Sequence, residues 1–348
     1  MRQFGRKTEK HDPARRIAEF WAWWSSARPE IDTLVAAGDA ERLTELVAPA
    51  VAAVHPGLVW EVAPGRTAAQ ALVVTAAGDP ALRSLAHRLA GAAPAADAQW
   101  EYHPSRQANP QALDVTLDVG GYDFDLGQLM LGLRVPRDRP QVDMVVYHPI
   151  YTLLDEETRL QATVLALHWL IGEDDVARWA GEITTSAFPP IDAVAAVHLP
   201  AVVADLAAGY DQEQWALLEG RTGDGARLIA VARHPLRHVD HPLFDRHIEI
   251  TLPYAHADAD GLPAEESARA LREFEERLVD RLTELKDTAL LVAHLSAEGR
   301  RVMHVYADPA GDAPARLQEL AADWPEGGGA QVVVADDPGW SAVAPFLS

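Results

Sequence analysis

The chain has 348 residues and a formal net charge of −22, with 48% apolar and 24% charged side chains and no cysteine. That apolar share is enough for folded cores, and the length favours two domains. The missing cysteine excludes disulfides, thiolate zinc sites and cysteine nucleophiles, while the negative field repels phosphate backbones and anionic lipid.

Residues 1–11 read as a loose tail, and Asp12-Pro13 has the form of an N-cap followed by proline at the first helical position. The helix it opens runs to about Ser26, with Ile17, Phe20, Trp21 and Trp24 on one stripe. Tryptophans placed in this way anchor a helix to a core, and that role is preferred here over an exposed aromatic platform. Ile31–Ala37 and Ala40–Val54 follow as alanine-rich helices on either side of Gly38-Asp39. Leu58–Val62 and Gln70–Thr75 read as strands joined at Pro64-Gly65, and Pro80–Leu89 as a helix. Gln99–Tyr102, Leu113–Val119, Leu126–Val135 and Val142–Tyr147 are further strands. Asp155–Ile171 is helical, with Leu160, Val164, Leu167 and Ile171 as its stripe, His168 at the stripe's edge and Gly172 as its cap. Ala207-Ala208-Gly209 is the expected boundary, giving an α+β domain over 1–208 and a second over 209–348. No apolar run approaches the roughly 20 residues of a spanning helix, and Met1–Lys10 lacks the apolar stretch of a signal peptide, so a cytoplasmic protein is expected.

Trp215–Glu219 and Arg227–Ala232 read as a hairpin leading into the clearest block of the chain, Phe244–Val334. Arg246–Leu252 alternates, with Ile248, Ile250 and Leu252 on one face and His247, Glu249 and Thr251 on the other. A turn at Asp258–Gly261 and Pro263 introduce a helix striped by Leu271, Phe274, Leu278, Leu282 and Leu285. Thr288–Leu295 and Arg300–Tyr306 are strands around a hairpin loop with Gly299 placed for a positive φ. Ala315–Trp324 is helical, and Gln331–Val334 is the last strand. The order is βαββαβ, a ferredoxin-like split βαβ sandwich with both helices on one face of an antiparallel sheet.

Gly261-Leu262-Pro263, Gly299, Val305-Tyr306 and Asp337-Pro338-Gly339-Trp340 together resemble a bacterial family catalogued as a domain of unknown function, DUF695, over the last third of the chain. The family is similar in arrangement to bacterial ribonuclease-regulator domains of the ferredoxin-like kind. The Trp-rich N-terminal helix and Ile171-Gly172-Glu173 resemble segments that precede such domains. The resemblance carries over no activity and no catalytic residues.

Two constellations hold the chemistry-bearing side chains. His234, His238, Asp240, His241 and His247 lie close in sequence and have metal-ligand character, but their spacing matches no HExxH pattern and Pro235 and Pro242 interrupt it. His247, Glu249 and Thr251, joined by His294, His304 and Tyr306 from neighbouring strands, would share the sheet face left without helices. No nucleophile–base pair, paired-acid geometry or phosphate loop is evident. The preferred reading is therefore a non-enzymatic binding or regulatory protein without a cofactor. Its partner would be another protein, drawn by charge if basic, with His247, Glu249, Thr251, His304 and Tyr306 as the surface. The alternative is a metal-assisted hydrolase built on the 234–247 histidines.

Overall fold

The computed structural model describes residues 13–137, 139–210 and 213–347; the expected tail over 1–11 and the Asp12 cap lie outside them. The chain divides after Ser105 into two compact units.

The first unit comprises α1 (Pro13–Ala37), α2 (Ala40–Val54), β1 (Val59–Pro64), β2 (Gln70–Thr75), α3 (Pro80–Gly91) and β3 (Trp100–His103). The two helices expected on either side of Pro29 are one. Phe20, Trp21 and Trp24 before the proline and Ile31 and Leu34 after it are all buried. That continuous burial outweighs the single backbone bond a proline removes. Trp21 donates its indole N–H to the Leu89 carbonyl at 2.8 Å and Trp100 to Asp32 at 2.6 Å, so the tryptophans anchor the core. Strands pair in the order β1-β2-β3, β2 and β3 parallel across α3. Glu101 is buried and accepts backbone N–H bonds from Arg66, Thr67 and Ala68. Burial opposes its charge, but these bonds and those of His103 and the Thr67 hydroxyl hold the carboxyl well below the usual range.

The second unit begins with the hairpin β4 (Thr116–Val119) and β5 (Tyr122–Asp125), followed by β6 (Met130–Arg134), β7 (Val142–Tyr147), α4 (Glu156–Ile171), α5 (Glu173–Trp179), β8 (Ala180–Ser186), β9 (Val194–Ala195) and α6 (Leu199–Ala208). β8-β7-β6-β9 form one sheet, and α4 and α6 share its core. β5 and β8 escape a sequence reading because Tyr-Asp-Phe-Asp and Ala-Gly-Glu-Ile-Thr-Thr-Ser carry no sustained apolar alternation. On α4 the buried side is rotated from the expected stripe. Leu160 is exposed, while Ala162, Thr163, Ala166 and His168 are buried. Small side chains let the helix approach its neighbours closely, a demand that hydrophobicity alone does not reveal.

The remainder holds β10 (Trp215–Arg221), β11 (Arg227–Arg233), β12 (Arg246–Pro253), α7 (Glu265–Glu284), β13 (Ala289–Ala297), β14 (Arg300–Ala307), α8 (Ala313–Ala322) and β15 (Gln331–Asp336). They build a six-stranded antiparallel sheet, β10-β11-β13-β14-β12-β15. Its last four strands have the ferredoxin-like order, and both helices bury Leu271, Phe274, Leu278, Leu317 and Leu320 against Ile248, Ile250, Met303 and Val305. Two helices about 10 Å wide span roughly four strands at 4.8 Å spacing, so β10 and β11 extend past the helical layer. Glu298 and Gly299, both at positive φ, make the two-residue turn between β13 and β14.

The compact division falls after Ser105, and within the second unit α6 ends at the expected Ala207-Ala208-Gly209 segment. Residues 106–210 group with the C-terminal sheet through the loop after β11. Arg237 stacks its guanidinium 4.1 Å from the Trp179 ring of α5, and Arg178 donates to Asp240 at 2.7 Å. Tyr210 packs between Trp179 and His234.

The alternation on β12 sets a paired test. Ile250→Ala lowers stability in urea unfolding by about 2–5 kcal/mol, while Thr251→Ala on the opposite face stays within about 0.5 kcal/mol. Equal losses would place the faces wrongly.

Candidate protein-binding face

The sheet face away from α7 and α8 is built in rows by strand register. One row runs Gln331, Thr251, Val302, Leu295, Ala230, Leu218 across all six strands. The next runs Val333, Glu249, His304, Ala293, Ala232, Ala216, and a third places Ala335, His247, Tyr306 and Leu290 side by side. Exposure varies along these rows. Thr251, Glu249, Val302 and Leu295 are half-buried, and Leu218 and Val333 exposed. His247, His304 and Tyr306 are buried.

The burial of those three corrects the expectation that the whole face is open. Residues 337–346 fold back over one end of it. Asp337 accepts from the Tyr306 hydroxyl at 2.6 Å, from the Ser341 amide and hydroxyl, and from the Ala342 amide. This turn lays Trp340 on Tyr306 with ring centroids 4.2 Å apart, and Trp340 donates to the Phe244 carbonyl at 2.7 Å. Trp340 and Val343 join Leu236, Val292 and Ala293 in a small second core. The Asp-Pro-Gly-Trp run is therefore a lid rather than simple punctuation. The spacing of Trp340, Val343 and Phe346 was the sequence signal for it. Burial opposes the charge on Asp337, but its hydrogen bonds outweigh this and hold the carboxyl below its usual range; burial and that neighbouring carboxylate push the Tyr306 hydroxyl up.

His247 and His304 face each other beneath this lid, Nε2 to Nδ1 at 3.0 Å. Burial lowers both, His304 to about 4, with His247 adding to the effect. His294 is not on this face. A bulge between Leu291 and Ala293 shifts the alternation by one residue and turns His294 to the helix side, 3.7 Å from a Glu275 already bound by Arg301. Burial and Arg301 lower it to about 4.

The metal-ligand candidates do not converge. Asp240 is held by Arg178 and Arg237, His241 stacks on Phe244 and Trp340, His238 lies against Trp340, His234 against Tyr210, and His247 against His304. Among the described residues no group of three or more His, Asp or Glu side chains is placed to hold a metal ion. Nor is any helix among them long and apolar enough to cross a membrane. What the loop does instead is join the two parts of the second unit.

Two measurements check this description. Trp340→Ala costs about 3–5 kcal/mol in urea unfolding and Tyr306→Phe about 1–3 kcal/mol; a loss below 1 kcal/mol for Trp340→Ala would mean that the lid does not hold the face. The buried histidines also make stability depend on pH. His294 and His304 bind their protons in the unfolded chain near pH 6.5 but in the fold only nearer pH 4, so their contribution is complete above about 6.5 and falls as the pH drops toward 4. The wild type loses stability between pH 7.5 and 5, by roughly 1.4 kcal/mol per histidine per unit below 6.5, and His294→Gln shrinks that loss. An unchanged pH dependence in the variant would remove His294 from the account.

Residues 213–348 match the family described as "Family of unknown function (DUF695)". No curated protein and no solved structure matches the chain significantly. The C-terminal sheet, its two helices and the Asp337–Trp340 lid all fall within the matched residues, so this part of the chain is similar to DUF695.

Proposed function

We propose that the protein is a non-enzymatic cytoplasmic module that binds another protein through the open part of the C-terminal sheet face. The observation that carries this reading is the contrast in exposure across this one face. The lid and the loop after β11 cover Tyr306, Phe346 lies against His304 and His247 is buried beside both, while Glu249, Thr251, Leu295 and Val302 keep solvent access. A half-apolar, half-polar lane backed by a rigid sheet is a surface on which a loop or helix of a partner can pack. The side chains that would do chemistry are committed to packing, ion pairs or each other. The charge of −22 favours a basic partner and speeds its encounter.

The test begins with capture from native lysate and identification by mass spectrometry. The purified partner is then titrated calorimetrically against wild type and a Glu249→Arg/Thr251→Ala variant whose circular dichroism is unchanged. Affinity falls at least about tenfold, or 1.4 kcal/mol, in the variant. Unchanged affinity would show that the surface is elsewhere. Turnover in a hydrolase screen, lost on His→Ala changes at 234, 238 or 241, would show that the class is wrong.

A further inference from the structure

β10 is an edge strand of the C-terminal sheet. Its neighbour β11 receives the backbone groups of every second residue: the His234 amide donates to Gln214, and the Thr222 amide to Ala226 across the same ladder. Even-numbered residues of β10 therefore bond inward, and the amides and carbonyls of Glu213, Trp215, Leu217, Glu219 and Arg221 point away from the sheet. Exposed edges are usually blunted by lysine, proline, a bulge or a covering element. Trp215–Arg221 carries the charges of Glu219 and Arg221 but no lysine or proline, and its register against β11 is unbroken. Its apolar side chains are in water, Leu217 at 67% exposure and Leu218 at 40%.

The strand is also complementary to itself. Paired antiparallel with its own copy about a two-fold axis at Leu217, it sets Leu217 against Leu217, Trp215 against Glu219 and Glu213 against Arg221, each of the last two twice. Every residue in those pairs is one whose backbone points outward, so the pairing uses the free ladder groups. Ala216 and Leu218 interleave on the face that carries the open rows. β15, the opposite edge, exposes Val333 and Val334 but has no opposite charges that would meet in a self-pairing.

We propose that two copies of this chain join through β10, merging their six-stranded sheets into one continuous antiparallel sheet. The association is isologous and closes at two subunits. It does not depend on the binding role proposed above, although it would set two copies of the open face side by side and let them engage a partner bivalently. The charge on each chain does not prevent it, because at 0.15 M salt charges more than about 8 Å apart are largely screened while facing pairs are not.

Sedimentation equilibrium of the full chain at about 10–100 μM, a range that reports micromolar affinities, is expected to show a dimer. Leu217→Lys, at an exposed position, leaves circular dichroism unchanged and gives a monomer, whose Tm no longer rises with protein concentration. Glu213→Arg weakens the dimer at least about tenfold by setting like charges opposite each other, and adding Arg221→Glu restores it. The absence of native cysteine permits a test of register. Facing residues at this kind of site have Cα atoms about 5.5 Å apart, within disulfide reach, so Leu217→Cys cross-links on oxidation and Leu218→Cys does not. A monomeric wild type, a ladder of larger species, a dimer that survives Leu217→Lys, or cross-linking at 218 instead of 217 would each overturn the proposal.

Discussion

The C-terminal sheet depends on the contact between Asp337, Tyr306 and Trp340. An antiparallel sheet needs cover on both faces wherever both are apolar, and the two helices serve only one. The other face carries Ala232, Val292, Ala293 and Tyr306, which would be costly to leave in water. The chain covers them with its own last ten or so residues. A single carboxylate, accepting from a tyrosine hydroxyl below and from the serine and alanine of the turn above, fixes the angle at which Trp340 meets the sheet. Because the lid is short it reaches only part of the face, and the uncovered rows beside it are a direct consequence.

The same economy explains the histidines. A histidine in a polar loop is a possible ligand or base; one enclosed by aromatic rings is a neutral, polar packing group. His238, His241, His247 and His304 are all within reach of Trp340, Tyr306 or Phe346. Burial lowers His241, His247 and His304, holding them neutral at physiological pH. Their concentration in this region reflects a small core that accommodates polar rings, and the cost is a stability that declines in acid.

The loop after β11 ties the second unit together. Asp240 receives both Arg178 and Arg237, and Arg237 in turn covers Trp179. A charge pair flanked by a stacked guanidinium and an indole is harder to dissolve than an exposed ion pair, since part of its energy is apolar contact. This is why residues 106–210 belong with the sheet that follows and not with the helices that precede them.

What the amino-acid sequence determined by itself is periodicity and punctuation. The alternation of β12, the α7 stripe, the Glu298-Gly299 turn and the βαββαβ order were legible because each rests on residues within one or two turns of one another. Strands poor in apolar residues, such as β5 and β8, gave no such signal. Tertiary structure alone decided which residues share a face and which of those faces meets water. One bulged residue at Val292 moved His294 to the helix side, and a lid from the end of the chain buried His247, His304 and Tyr306 while leaving Glu249 and Thr251 accessible. The lid depends on contacts between residues some 30 to 100 positions apart, such as Tyr306 with Asp337 and Phe244 with Trp340, and no local pattern encodes a contact at that distance.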